Sequence, residues 1–167
     1  MTEQQDNVEL STNDLIEQRR AKLKEWRESG IAFPSGFRRD ALAQSLLDQY
    51  GSKTEEEFLA SPVNVKVAGR MMLRRLMGKA SFTHIQDMSG RIQIYIREDA
   101  VPAGVYDAFK QWDLGDIVGV TGHLFKTKTG ELSVKVEQIE LLTKALRPLP
   151  DKFHGLHDQE TRYRQRY

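Results

Sequence analysis

Two side chains on neighbouring segments have the chemistry to hold a flat, hydrogen-bonding ligand. Phe82 shares one face of an alternating stretch with His84 and Gln86, while Thr83 and Ile85 occupy the other. An aromatic ring on a polar sheet face is a stacking platform for a nucleobase, and each stacked base contributes about 1–3 kcal/mol. The same pattern also admits a bulge that turns Phe82 into the core. In the next alternating stretch Gln93 and Tyr95 face outward, opposite Ile92, Ile94 and Ile96. The glutamine amide presents an acceptor beside donors, which matches the paired groups on a pyrimidine Watson–Crick edge. A lone outward glutamine is ordinarily only solvated; Gln93 gains weight from its company. Phe82, Gln93, Tyr95 and an outward Arg70 are expected on one side of one sheet, joining stacking, hydrogen bonding and charge.

The charge pattern points the same way. Net charge is only +1, but from Phe58 through Gln86 there is no Asp or Glu, while Lys66, Arg70, Arg74, Arg75 and Lys79 are cationic. Average neutrality therefore conceals a polarised surface. Arg74, Arg75 and Lys79 are expected in a loop between the first two strands. Lys126 and Lys128 sit in a later turn beside Glu131. Such lysines equally suit the surface of a soluble hairpin. Glu131 is more telling, because a carboxylate in a basic groove weakens nucleic-acid binding unless it accepts a hydrogen bond from a base. His84 is a further candidate contact.

Catalytic and metal readings find little support. His154 and His157 form an H-x-x-H next to Asp158, but a third ligand at family spacing is lacking, so no metal site is assigned. Neither a glycine-rich phosphate loop nor a nucleophile elbow occurs, and the absence of cysteine excludes thiolate chemistry and disulfides.

The elements that must position these groups follow from periodicity. Leu15, Leu23 and Trp26 predict a helix over about 13–29, ended by Gly30 and Pro34; its Arg19, Arg20, Lys24 and Arg27 are either phosphate contacts or a solvated face balanced by Glu17, Glu25 and Glu28. Asp40 is placed to cap a second helix carrying Leu42, Leu46 and Tyr50, stopped by Gly51, and Thr54 with Glu57 has capping-box spacing for a third through Leu59. From Val63 the period changes to two. Val63, Val65 and Val67 begin one strand, Thr83, Ile85 and Asp87 the inward face of a second, and Ile92, Ile94 and Ile96 that of a third. A helix over about 102–112 bears Val105, Phe109 and Trp112. Strands then run Ile117–Phe125 and from Leu132, separated by the turn Lys126–Gly130. The expected class is mainly β with N-terminal helices, the order β-β-β-α-β-β being that of the five-stranded Greek-key barrel called the OB-fold. That fold binds oligonucleotides across strands 2 and 3 and the loops joining 1–2 and 4–5. The division reads 1–61 helical extension, 62–144 barrel, and 145–167 linker.

At 167 residues, 39% hydrophobic and 29% charged, the chain is suited to one well-buried domain. No apolar run approaches the ~20 residues of a membrane-spanning helix, and the acidic, polar start is unlike a signal peptide, so a cytoplasmic protein without membrane contact is expected.

Particular stretches resemble one family. Gly69–Arg75 with Gly78–Phe82, Gly90–Tyr95, Trp112–Asp116 and the loop KTKTGELS from Lys126, together with GIAFP from Gly30 and the tail LLTKALRPLPDKFHGL from Leu141 into RYRQRY, are similar to bacterial lysyl-tRNA synthetases over about residues 13–167. The resemblance implies that the barrel binds the anticodon stem-loop of tRNA(Lys). It places the stacking aromatic on Phe82, the amide for the central uridine on Gln93, a basic contact on Arg70 and the carboxylate for the third base on Glu131. It also implies a class II catalytic domain that continues beyond Tyr167, using ATP and magnesium in a homodimeric protein; residues 145–167 would then be a poorly ordered linker and the start of that domain, and this stretch alone would form no lysyl-adenylate and carry no cofactor. A general single-strand binder, the module of an aspartyl or asparaginyl synthetase and a protein-interaction barrel remain alternatives. The KTKTGELS loop and PLPDKFHGL tail favour lysine, and the acid-free basic stretch disfavours protein interaction.

Overall fold

A computed structural model describes residues 11–30 and 36–149. Readings that fall on 1–10, 31–35 and 150–167, including Pro34 and the His154/His157 pair, lie outside the described residues.

Three helices, α1 (Thr12–Ser29), α2 (Ala43–Tyr50) and α3 (Glu55–Ala60), precede the strands β1 (Asn64–Met77), β2 (Ala80–Gln86) and β3 (Arg91–Arg97). Helix α4 (Val105–Gln111) then leads to β4 (Ile117–Lys126) and β5 (Leu132–Thr143). The strands close into a barrel in the order β1-β2-β3-β5-β4, with every neighbouring pair antiparallel except β3 with β5. This is the expected OB architecture. Its core is the inward set of each alternating strand, Val65 and Val67, Ile85, Ile92, Ile94 and Ile96, Val118 and Val120, Val134 and Val136, joined by Tyr106 and Phe109 of α4. Burial of one face and hydration of the other fix the register, since a slip of one residue would exchange the two sets.

β1 departs from the simple alternation. Its pairing with β2 shifts between Met71 and Leu73, so one extra residue enters the strand as a bulge and the facing of everything after it is reversed. Arg74 and Arg75 therefore lie within β1, contrary to the expectation of a 1–2 loop, and the two strands meet in a tight turn at Gly78, whose φ is +66°. Asp87 also differs from expectation. It lies just beyond β2 and accepts backbone N–H groups from Ser89 and Gly90 in the turn into β3.

Asp40 does not cap α2; its carboxylate accepts the N–H of Lys66 at 2.7 Å. The cap comes from across the chain, with Asp87 accepting the N–H of Ala43 at 2.8 Å and the Ser89 hydroxyl that of Gln44 at 3.0 Å. The Thr54/Glu57 capping box of α3 is formed as its spacing predicted, and Ser11 with Asp14 makes another at α1.

A charged cluster joins α1 to the barrel. Buried Lys144 reaches Asp116 at 2.9 Å and Asp113 at 2.7 Å, and Lys22 of α1 reaches Asp113 at 3.0 Å. Arg19 is buried and donates to the carbonyls of Ala145 and Arg147. It is thus a tether and not part of a phosphate-facing surface, and residues 145–147 are held against α1 where a loose linker was expected.

Burial alone would raise the carboxyls of Asp87 and Asp113, but hydrogen bonds outweigh it and hold both below the ordinary aspartate value. The donors are Ser89, Ala43 and Gly90 for Asp87, and Lys144 and Lys22 for Asp113. A carboxyl depressed in the folded state stabilises it fully above the unfolded pKa, about 3.9, and this contribution is lost as pH falls through the folded value. The urea midpoint should therefore hold steady from pH 7 to about 5 and drop below about pH 4. Asp87→Ala should flatten part of that drop and cost about 1 kcal/mol at neutral pH through loss of the α2 cap; an acid limb identical to that of the parent protein would remove Asp87 from this role.

Candidate nucleic-acid interface

The outer faces of β2 and β3 and the β4–β5 turn enclose a cleft of about 840 Å³. Antiparallel pairing sets Phe82 opposite Tyr95 and His84 opposite Gln93, so side chains from two strands meet on one wet surface. Phe82 and Tyr95 rings lie 4.8 Å apart, and Tyr95 lies 5.8 Å from Phe125 of β4. All three are half-buried, leaving ring area against which a planar group can stack. Phe82 is therefore not in the core.

Gln93 stands at the same level of the cleft. Its Oε1 accepts the hydroxyl of Ser133 at 2.9 Å. Glu131, half exposed at the end of the turn, reaches Nε2 of His84 at 3.2 Å across the cleft. The turn holding Glu131 is closed by Thr127 N–H to the Glu131 carbonyl and by Glu131 N–H to the Thr127 hydroxyl, with Gly130 at φ +84° making the reversal. That conformation is accessible to glycine with little cost.

The cations that line the cleft fall into two groups. Arg75, opposite Phe82 in the β1–β2 register, and Lys128 line the cleft and are exposed. Arg74 and Lys126 line it too, but they are engaged elsewhere. Arg74 donates to the carbonyls of Phe109 and Trp112 and lies over the Phe109 ring; burial draws its pKa below the ordinary arginine value, against the pull of Asp113 and Asp116. The Lys126 ammonium donates to the carbonyls of Gly51 and Gly130, and the Lys126 backbone N–H donates to the Glu55 carboxylate at 2.7 Å, so the α2–α3 corner clasps the turn.

Arg70 and Lys79 lie outside the cleft lining. Arg70 pairs with Gln86 at the far end of β2 and donates to the Gly115 carbonyl at 2.8 Å; Lys79 is exposed at the β1–β2 turn. Leu73, Met77 and Phe125 are lining residues that the sequence reading did not single out. For Phe125 the signal was available, since Thr121, His123 and Phe125 alternate outward along β4. Leu73 and Met77 follow the bulge, where alternation from the start of β1 no longer predicts facing. Among the described residues no group of three His, Cys, Asp or Glu is placed to hold a metal ion, and no helix is long and apolar enough to cross a membrane.

A small closed barrel with an aromatic and amide-bearing cleft on strands 2 and 3 defines the OB class, and residues 65–142 match the family described as the OB-fold nucleic acid binding domain. The wider chain is similar to bacterial lysine-tRNA ligases, which bears out the resemblance read from its motifs. It is 64% identical over 165 residues to the lysine-tRNA ligase of Dechloromonas aromatica (strain RCB), covering 99% of this chain and 33% of that protein. Identity is 64% over 155 residues with that of Coxiella burnetii (strain Dugway 5J108-111), covering 93% and 31%. With that of Idiomarina loihiensis it is 60% over 168 residues, covering 100% and 33%. The chain spans about a third of the length of these curated relatives.

Proposed function

We propose that this chain is the anticodon-reading module of a lysine-tRNA ligase, in which residues 62–144 grip the anticodon loop of tRNA(Lys) and helices α1, α2 and α3 brace the barrel. The observation that carries the reading is the joining of Phe82, Gln93 and Glu131 in one cleft of an OB barrel. Phe82 and Tyr95 stack bases, Gln93 meets the central uridine and Glu131, steadied by His84, accepts from the third base. Arg75 and Lys128 face the phosphates. Arg74 and Lys126 shape the cleft wall and Lys79 adds charge beside it, while Arg70, at the far end of β2, lies outside the cleft. ATP, magnesium and lysine would act on a catalytic part of the longer protein, following residues 145–167, and a homodimer and a cytoplasmic location belong to that same whole. The described residues group no carboxylates that fit a magnesium ion, so no step through it is assigned to them.

Titration with stem-loops carrying UUU or UCU tests the reading. Exchange of the central base should weaken binding about tenfold, within the ~1–3 kcal/mol that a good base-edge contact discriminates in duplex readout. Equal affinities, both falling with salt at about −0.7 log units per phosphate contact, would instead describe a general single-strand binder.

A further inference from the structure

We propose that Ser133 is a specificity-determining residue of this site, because it fixes which way round the Gln93 amide presents its donor and acceptor. The inference rests on the anticodon reading of the cleft. Ser133 is opposite Gln93 in the parallel β3–β5 pair that closes the barrel. Its neighbours on β5 facing outward, Lys135 and Glu137, are long and at least partly exposed, whereas Ser133 is fully buried. Its hydroxyl donates to Oε1 of Gln93 at 2.9 Å; its other acceptor, the Glu131 carbonyl, is 3.4 Å away.

A primary amide has nearly the same shape after a half turn, but the turn exchanges acceptor for donor. Uridine presents O4 as an acceptor beside the N3–H donor. Cytidine, in the same pose, presents the N4–H donor beside the N3 acceptor, which is the reverse order. An amide free to turn satisfies either base and distinguishes neither. For Gln93 to turn, the Ser133 oxygen must accept from the amide nitrogen and swing its proton to the Glu131 carbonyl, at a distance beyond the usual range for an O–H donor. The 2.9 Å bond thus holds one order of donor and acceptor, which on the anticodon reading is the order for uridine. Ser133 acts through Gln93 and reaches no base itself.

The test is a double-mutant cycle on Ser133→Ala and Gln93→Ala, each protein titrated with the UUU and UCU stem-loops. Ser133→Ala should bind UUU within about threefold of the parent, the loss of one neutral hydrogen bond, while the preference over UCU falls from about tenfold towards about twofold. In the Gln93→Ala background it should leave the ratio unchanged. Ser133→Thr, which keeps the hydroxyl, should restore the preference. The ratio is insensitive to the fraction of folded protein, so a destabilised variant still reports. A tenfold preference retained by Ser133→Ala, or a further change in the Gln93→Ala background, overturns the assignment of Ser133 alone. Absence of any preference in the unmodified chain overturns the anticodon reading and this inference together.

Discussion

Asp116→Ala is expected to lower the unfolding free energy by about 3–5 kcal/mol, the usual cost of removing one partner from a buried ion pair. Asp116 has no exposed surface. Besides both bonds from the Lys144 ammonium, it accepts the N–H of Ala145 at 2.8 Å and that of Asp113 at 2.9 Å. The substitution leaves those two N–H groups unpaired and Lys144 with Asp113 as its remaining carboxylate. Lys144 cannot turn to water, because its side chain is only 2% exposed. Urea unfolding at pH 7 should show a midpoint displaced to lower denaturant with little change in slope. Replacing the pair together, as Asp116→Leu with Lys144→Met, should recover part of the loss because the stranded charge is gone. A single substitution that costs less than about 1 kcal/mol would mean that water replaces the lost carboxylate within the cluster.

That cluster also marks the boundary of what the linear order of residues could convey. Ile92, Ile94 and Ile96 were legible because a strand with one buried face writes its alternation directly into the sequence. The same rule placed Phe82 and Gln93 on the wet side of the sheet. It failed along β1, where alternation holds from Val65 to Met71 and the bulge then reverses it; beyond that point Leu73, Leu76 and Met77 are all substantially exposed, so no apolar period remained to reveal the change. Caps and tethers were hidden for a different reason. The α2 cap is supplied by Asp87, the Lys126 clasp by Glu55 and Gly51, and the anchor of Arg19 by the carbonyls of Ala145 and Arg147. Each joins residues remote in sequence, and no local pattern records such a partner. Asp40 had the right residue type at a reasonable spacing from α2, yet a strand N–H had claimed it. The cations suffered most, because residue type gives charge but not whether that charge is already engaged.

Phe82→Ala should weaken binding of the UUU stem-loop by about 1–3 kcal/mol, roughly 5- to 150-fold in affinity, as the stacked base loses its platform. Tyr95, 4.8 Å away, remains as a partial substitute, which places the expectation below the upper end. Since the ring is on the outer face, the urea midpoint should move little in comparison with a core phenylalanine such as Phe109, whose removal costs about 3–5 kcal/mol. Stacking does not depend on which pyrimidine is present, so affinities for UUU and UCU should fall in parallel and their ratio persist. Gln93→Ala should do the opposite, lowering the ratio more than the affinity. This separation of strength from selectivity distinguishes a ring that holds a base from an amide that identifies it. Phe82→Trp should bind nearly as well as the parent, because a larger plane serves the same purpose. An unchanged affinity in Phe82→Ala, or a collapse of stability in place of binding, would remove the ring from the interface.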